Sequence, residues 1–357
     1  MVHARACCQR VAMLIDNTLT NLLPARKSLP LPPLNIVLYG AVVHSLDATL
    51  SRKLSASASI SKFTESSPRA DLAQACERAD VIIALTYRDM PPAPRLRLLQ
   101  APGAGIDQIR LDQVPGAATV CNAYGHDVAA AEYAVLGMLA WQHQLLEAHD
   151  SFRSGTWRMS GRCGAPLHHE LHGKTVGILG LGPIGEKTAE LVKPFGTRVL
   201  ACNRSSRPPH RCVDRLYPLA ELHEFLGQCD FVVVSIALAA GTVDLIDHAA
   251  FQAMKTNAVI VNVARGAVIN EDALYAALKD RRIAGGVIDA WYRYPTPDDL
   301  RVPPSRHPFH ELPNLIMTPH SSIWTDGMIE RRWSEIARNI DALASGAPFI
   351  NVIRPAA

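Results

Sequence analysis

The feature that most constrains this sequence is a glycine-rich turn that follows an apolar strand and opens a helix. After the apolar run TVGIL the chain reads Gly180-Leu181-Gly182-Pro183-Ile184-Gly185. In such a turn the first glycine permits the bend, the second lets a phosphate approach the backbone, and the third lets helix pack on strand. Proline suits the first helical turn, where its missing N–H has no partner to lose. We therefore expect a dinucleotide pyrophosphate at this turn, with a purely structural turn as the alternative.

Short apolar runs that alternate with helix-length segments predict a parallel α/β fold. Four runs lie at 35–40, 80–85, 97–103 and 119–125, and six more follow: TVGILG, RVLACN, FVVVSIAL, AVIVNVA, GGVIDA and NLIMTPH. The second group fits a doubly wound nucleotide-binding domain. We expect one long helix from about Val128 to about Asp150 between the groups, and an amphipathic helix at roughly 325–345.

Composition excludes several classes of protein. The 36 Lys and Arg residues balance 33 Asp and Glu residues over 357 positions and are scattered, which argues against a nucleic-acid partner. No apolar run approaches the roughly 18 residues of a membrane span, so no membrane partner is expected. The eight cysteines form no CxxC pair, which favours a reduced, cytoplasmic setting. The histidines of HHELH at 168–172 lack metal-site spacing, so no metal is expected.

The end of the next predicted strand bears on the choice of cofactor. An acid there would select NAD through the ribose 2′-hydroxyl. Here RVLAC is followed by Asn203, Arg204, Ser205, Ser206 and Arg207, with no carboxylate. Because Arg204 can pair with a 2′-phosphate and Ser205 can donate to it, this segment favours NADP over NAD. A solvated basic loop is the alternative.

Three further motifs occur in order around the glycine turn: GAGID at 103–107, VARGAVINEDAL at 263–274 and TPH at 318–320. With them, the chain from about 35 to 350 resembles the D-isomer-specific 2-hydroxyacid dehydrogenases, which include glyoxylate/hydroxypyruvate reductases, phosphoglycerate dehydrogenases and formate dehydrogenases. The resemblance implies NAD(P)-dependent hydride transfer between a D-2-hydroxy acid and a 2-oxo acid, and a homodimer. A dinucleotide-binding regulatory protein with weak catalysis, built on the same fold, is the alternative function.

The resemblance also implies a domain plan. The expected fold class is α/β, with two doubly wound parallel-sheet domains, a Rossmann-type cofactor domain being inserted into a discontinuous flavodoxin-like substrate domain. The expected segments are an N-terminal extension at 1–34, the first part of the substrate domain at 35–149, the cofactor domain at 150–320, and a return helix of the substrate domain at 321–350. The basic, proline-containing extension is expected to be poorly ordered, with a targeting peptide as the alternative.

Roles for single residues follow from the same resemblance. Arg265 would hold and polarise the 2-oxo acid, for which its planar fork is suited. The backbone N–H groups of Gly103, Ala104 and Gly105 would bind the substrate carboxylate. Asp289, at the end of GGVID, would bind the nicotinamide carboxamide, unless its partners are purely structural. The full set of expected cofactor contacts is Gly180, Gly182, Pro183, Ile184, Gly185, Asn203, Arg204, Ser205, Ala264 and Asp289.

His320 would be the acid–base group, because an imidazole can give a proton to the carbonyl oxygen or take it back. Relatives pair this histidine with an acid at the position held here by Tyr294. A phenol can hydrogen-bond to the ring but brings no charge near neutral pH. His126, in YGHD, is expected either in the substrate pocket or in an ordinary loop.

Overall fold

The computed structural model describes residues 32–40, 47–205, 207–208, 210–295 and 299–357. These residues form two sheets flanked by helices, which confirms the expected α/β fold class. Nearly all of the extension expected at 1–34 lies outside the described residues. None of the helices described here is long and apolar enough to cross a membrane.

The first sheet has six strands. They are β1 (Leu34–Tyr39), β2 (Ala58–Phe63), β3 (Val81–Ala84), β4 (Leu98–Gln100), β5 (Thr119–Cys121) and β13 (Val352–Arg354), in the order β13-β5-β4-β3-β1-β2. All pairings are parallel except that of β13 with β5. The accompanying helices are α1 (Asp47–Lys53), α2 (Arg69–Arg78) and α9 (Asp326–Ser345). Trp333, Ile336 and Ile340 of α9 are buried against Leu38 and Leu98 of the sheet.

The second sheet has seven strands and is wholly parallel. They are β6 (Thr175–Leu179), β7 (Arg198–Asn203), β8 (Arg215–Pro218), β9 (Phe231–Val234), β10 (Val259–Asn262), β11 (Gly285–Ile288) and β12 (Leu315–Met317), in the order β12-β11-β10-β9-β6-β7-β8. Its helices are α5 (Pro183–Val192), α6 (Leu222–Gln228), α7 (His248–Ala253) and α8 (Glu271–Lys279). The apolar interior of this sheet is buried, as expected for a sheet covered on both faces.

The prediction of a single long helix between the sheets is wrong, because the segment forms two helices. These are α3 (Asp127–Gln142) and α4 (Leu145–Arg153), and Gln144 between them has a φ of 48° in the left-handed region. The side chain of Gln142 is buried and donates to the Glu170 carbonyl at 2.6 Å, which fixes the end of α3. The chain therefore turns where α3 leaves the second sheet, instead of continuing as a helix.

The loops with the predicted functional residues all follow the carboxyl ends of strands. The GAGID loop follows β4, the turn before α3 follows β5, and the ARG and TPH motifs follow β10 and β12. In open parallel sheets this edge is where ligands bind, because connecting loops and helix N-termini converge there. The two sheets direct these edges toward a shared cleft, where the GAGID loop contacts Arg265.

Candidate active site

Two of the three glycines in the turn after β6 are required by its geometry, and the third leaves space open. Gly180 has a φ of +100°, and a Cβ there would lie 2.5 Å from the Ile236 backbone. A Cβ at Gly185 would overlap the carbonyl oxygen of Gly180, whereas one at Gly182 would meet nothing within 4 Å. The N–H groups of Gly182, Ile184 and Gly185 donate to no described residue. Free amides at a helix N-terminus, with open space beside the second glycine, form a cradle that fits a pyrophosphate.

The end of β7 is tied to this glycine turn. The Oδ1 of Asn203 accepts a hydrogen bond from the Leu181 N–H at 3.4 Å, and its Nδ2 donates to the Ser205 carbonyl at 3.0 Å. Arg204 and Ser205 are both exposed at this edge. Ser206 lies outside the described residues. Asn203 therefore connects the segment after β7 to the glycine turn. The Arg204 side chain remains exposed, where a ligand can reach it.

Arg207 contacts the glycine turn directly. Its guanidinium donates to the Leu181 carbonyl and pairs with Glu186 in the first turn of α5. The sequence alone does not predict this role of Arg207. Its contact with the glycine turn depends on how the segment after β7 folds back. Arg207 therefore holds the turn and its helix together.

Arg265 is presented by a turn that Asn262, at the end of β10, organises. Asn262 is buried, its Oδ1 accepts from the Ala264 N–H at 3.0 Å, and its Nδ2 donates to the Arg265 carbonyl at 3.1 Å. The Nη1 of Arg265 in turn donates to the Ala264 carbonyl at 2.9 Å. The side chain keeps 37% of its surface exposed, so its guanidinium is fixed in place yet open to the cleft.

The loop of Gly103, Ala104 and Gly105 lies against this guanidinium. Two loop carbonyls are occupied, since Gly103 accepts from the Ala123 N–H at 3.2 Å and Ala104 from the Asn122 side chain at 2.8 Å. The N–H groups of the three loop residues donate to no described residue. A Cβ on Gly105 would overlap the Nη2 of Arg265. Free amides beside a guanidinium, brought together from two sheets, make a site suited to a carboxylate.

Asp107, in the same loop, is a site residue that sequence reasoning missed. Its Oδ1 lies 3.6 Å from the Nη2 of Arg265. In the sequence it is only the last residue of GAGID, and no local signal indicates that it faces an arginine more than a hundred residues away. The ion pair places an acid inside the cleft.

His320 and Tyr294 are in contact. The Tyr294 hydroxyl lies 2.8 Å from Nδ1 of His320, and it accepts from the Trp291 N–H at 3.1 Å. His320 has a φ of 55°, a left-handed conformation uncommon for a residue with a side chain. With Nδ1 engaged by the phenol, Nε2 is the ring nitrogen free to exchange a proton with a substrate.

The surroundings of His320 favour its neutral form. Burial lowers the pKa of His320 from its ordinary value of 6.5, the Asp289 carboxylate raises it, and the Arg265 cation lowers it. Partial burial raises the pKa of the Tyr294 hydroxyl, so that phenol stays protonated at neutral pH. The candidate acid–base pair is therefore an imidazole and a neutral phenol.

Asp289 anchors the loop that carries His320. The carboxylate is 1% exposed and accepts from the Thr318 hydroxyl at 2.7 Å and from the backbone of Ser321 and Ser322 at 2.8 and 3.0 Å. Thr318 also bonds to the Tyr133 hydroxyl of α3. All of these partners belong to the protein itself, as expected if Asp289 has a purely structural role. The contact of Asp289 with the nicotinamide stays a prediction. Asp289 acts as a positioning residue for His320.

His126 lies at the start of α3 as a neutral, partly unsatisfied ring. It stacks on Tyr124 with ring centroids 6.3 Å apart, and its Nδ1 is buried without a partner among the described residues. Burial and the nearby Arg332 cation lower the pKa of His126 to about 4. Arg332, on α9, donates from Nε to the Tyr124 carbonyl at 3.4 Å and was not indicated by the sequence motifs. His126 can therefore serve as a hydrogen-bonding group but not as a cation.

Comparisons with known proteins identify the relatives of this chain. Residues 135–322 match the family described as "D-isomer specific 2-hydroxyacid dehydrogenase, NAD binding domain". A glyoxylate reductase of Thermococcus gammatolerans is 33% identical over 263 residues, which cover 71% of this chain and 75% of that protein.

Solved structures show the same fold. A D-isomer specific 2-hydroxyacid dehydrogenase family protein from Aeromonas salmonicida matches with a TM-score of 0.74 and 24% identity, covering 90% of this chain and 99% of that one. An NADPH-dependent glyoxylate/hydroxypyruvate reductase from Sinorhizobium meliloti, in complex with NADP and malonate, matches with a TM-score of 0.74 and 22% identity over 90% and 97% of the two chains. Because residues 135–322 match the family model and a relative is 33% identical over 71% of the chain, this chain belongs to the D-isomer-specific 2-hydroxyacid dehydrogenase family.

Proposed function

We propose that this member of the family is an NADP(H)-dependent enzyme that reduces a small 2-oxo acid to the D-2-hydroxy acid. The observation that carries the proposal is that Arg265 lies beside the amides of Gly103–Gly105, which donate to no described residue, in a cleft that also contains the His320–Tyr294 pair. Arg265 and the loop amides can bind a carboxylate, and the His320–Tyr294 pair can transfer a proton. A 2-oxo acid requires both functions close together.

The residues of the chain divide the chemistry between them. A nicotinamide cofactor would supply, when bound, the hydride that reduces the substrate carbonyl carbon. Arg265 and the loop amides orient the carboxylate, and the guanidinium stabilises negative charge on the adjacent carbonyl oxygen. His320 donates its Nε2 proton to that oxygen, while Tyr294 holds the ring in place through Nδ1. The phenol oxygen can accept from Nδ1 when the ring is charged, so the contact survives proton transfer.

The choice of NADP over NAD rests on the edge of β7. The segment has no carboxylate to repel a 2′-phosphate, and Arg204 is exposed there without a described acidic partner. The pyrophosphate would lie on the amides of Gly182, Ile184 and Gly185. The Sinorhizobium meliloti reductase is NADPH-dependent and was solved with NADP bound, which is consistent with this assignment.

The assembly we propose is a homodimer in the cytoplasm. Exposed apolar side chains cluster on and after α4, including Leu145, Leu146, Phe152, Trp157 and Leu167. Phe152 and Trp157 form an edge-to-face pair with centroids 5.0 Å apart. An exposed apolar cluster of this kind indicates a contact surface, for which a second copy is the simplest occupant. The six described cysteines are free thiols, as a reducing compartment requires.

Steady-state assays with NADPH and a panel of 2-oxo acids test the proposed function. We expect oxidation of NADPH with at least one small 2-oxo acid, formation of the D-hydroxy acid, and slower turnover with NADH. Tight NADPH binding without turnover on any member of the panel would instead favour the regulatory alternative. The intact Arg265 site and the His320–Tyr294 contact argue against that alternative.

A further inference from the structure

An ion pair crosses the cleft between the two sheets. Asp107 belongs to the loop after β4, and Arg265 to the turn after β10. The Oδ1 of Asp107 lies 3.6 Å from Nη2 of Arg265, and both side chains are 37% exposed. The Cβ position at Gly105 lies between them, 2.7 Å from Asp107 Oδ1 and overlapping Arg265 Nη2. The Asp107 carboxylate therefore lies next to the position that we expect for the substrate carboxylate.

Among the described contacts of Arg265, the Nη2 atom faces Asp107. Nη1 donates to the Ala264 carbonyl at 2.9 Å, whereas Nη2 has Asp107 as its only described carboxylate neighbour. The second oxygen of Asp107 accepts weakly from the Gln108 side chain at 3.4 Å. Because Asp107 is exposed and loosely held, its carboxylate can move aside at small cost.

Two carboxylates cannot share one guanidinium nitrogen without mutual repulsion. A bidentate complex with the substrate needs two N–H groups of the fork, and one of them already faces Asp107. A substrate carboxylate must displace that acid or bind beside it. The like charge opposes binding in either case.

We propose that Asp107 is an internal competitor for Arg265 that sets how tightly the enzyme holds a substrate carboxylate. It is thus a specificity-determining residue of the reaction, and this inference rests on the proposed function. In the ligand-free protein Asp107 also gives the partly buried guanidinium a counter-ion. Because Asp107 occupies the guanidinium in this way, the 2-oxo acid is bound more weakly.

The test compares four proteins: the wild type, Asp107→Asn, Asp107→Glu and Asp112→Asn. The first variant removes the charge and keeps the shape, and the second keeps the charge. Asp112 pairs with Arg110 at 2.8 Å, away from the cleft, and serves as a matched control. Two quantities are measured with saturating NADPH: KM for the best 2-oxo acid, and the Kd of oxamate by calorimetry. Oxamate carries the carboxylate but is not reduced.

Asp107→Asn is expected to lower both KM and the oxamate Kd by about two- to fivefold, the upper part of the range for a partly exposed ion pair. The change in kcat should be smaller than the change in KM. Asp107→Glu should not tighten binding, and Asp112→Asn should behave as the wild type. Higher or unchanged values in a folded Asp107→Asn protein overturn the inference.

The outcomes separate this inference from the proposed function. A wild type that reduces 2-oxo acids while Asp107→Asn shows no tighter binding refutes the inference alone. A wild type that neither reduces 2-oxo acids nor binds oxamate refutes the proposed function. In that case, oxamate binding gained in Asp107→Asn would still support the competition, and no gain would refute it.

Discussion

At the scale of single residues, Tyr294 replaces a charged partner with a neutral one in the proposed acid–base pair. A carboxylate partner would favour the charged imidazole, whereas the phenol at 2.8 Å holds the ring without stabilising a charge on it. Burial and Arg265 both lower the pKa of His320, and Asp289 only partly opposes them. Reduction needs the protonated ring and oxidation the neutral one. The enzyme is therefore expected to lose reductive efficiency at a lower pH than a relative with an acid at this position.

The pH profile of Tyr294→Glu tests this role of the phenol. Above its pKa His320 is neutral, so reductive kcat/KM should fall as pH rises through that pKa. A carboxylate beside Nδ1 favours the imidazolium and should move this alkaline limb upward by about one pH unit, or about 1.4 kcal/mol. Tyr294→Gln is the control, because it keeps a polar partner without charge and should cause no upward shift. An unmoved limb in folded Tyr294→Glu would show that this residue does not control the titration.

Arg204 tests the cofactor assignment. Loss of a charge-assisted contact with the 2′-phosphate should raise the Kd of NADPH about tenfold to a hundredfold in Arg204→Ala, and leave that of NADH nearly unchanged. Arg211→Ala is a suitable control, since Arg211 is a nearby exposed arginine that pairs with Glu190. Fluorescence titration with both cofactors measures the effect. Equal losses for NADPH and NADH would refute selection by Arg204.

The elements show how far the sequence predicts this fold. Buried parallel strands are continuous apolar runs, and all ten predicted runs correspond to strands. Three strands were missed, and each has a physical reason. β2 (ASISKF) is an edge strand whose apolar residues are interrupted by polar ones, β8 (RLYP) is short and half exposed, and β13 pairs antiparallel after the last helix. Their strand character comes from neighbours and not from their own composition.

The candidate site shows the same division. Motifs indicated Arg265, His320 and Tyr294, because each follows a recognisable strand and the resemblance assigned their positions. The contacts of Asp107 and Arg332 were not predictable, since they join segments that only the tertiary fold brings together. The break at Gln144 likewise depends on how α3 leaves the second sheet.

Gly285 of β11 tests how α3 packs on the second sheet. A Cβ there would overlap the Trp141 ring and lie 2.5 Å from the Asn314 carbonyl. Gly285→Ala should therefore destabilise the protein by about 2 kcal/mol, because neither neighbour can move freely. Gly161→Ala is the control, since a Cβ there meets nothing within 4 Å. Differential scanning calorimetry should show a lower Tm for Gly285→Ala alone, and equal Tm values would contradict this packing.

At the scale of the whole molecule, the two sheets supply complementary halves of the proposed site. The first contributes the amides of Gly103–Gly105, and the second contributes Arg265 and His320. Within the second half, the Trp291 side chain links the loop after β11 to the residue after β12 by donating to the Thr318 carbonyl at 2.8 Å. Neither half contains all the groups that a 2-oxo acid needs. We therefore expect activity to depend on how the two halves of the site are held against each other.

The proposed dimer is tested through its exposed aromatic residue. Trp157 is 61% exposed within the apolar cluster that follows α4. If that cluster is the contact between copies, Trp157→Glu should shift the protein toward the monomer, because a buried charge without a partner is costly. Leu300→Glu changes another exposed apolar residue elsewhere and should leave the assembly unchanged. Sedimentation velocity distinguishes the species, and a wild type that is monomeric at all concentrations would contradict the proposal.

Comparing Arg265→Lys with the wild type tests the proposed site most directly. In that site Arg265 and the facing loop amides hold the carboxylate of a 2-oxo acid. A lysine keeps the charge but loses the planar fork, so kcat/KM for the 2-oxo acid should fall about a hundredfold while the Kd of NADPH stays near that of the wild type. That separation of substrate and cofactor effects is the predicted result. Near-native kcat/KM in Arg265→Lys, or an equal loss of NADPH binding, would contradict this role for Arg265.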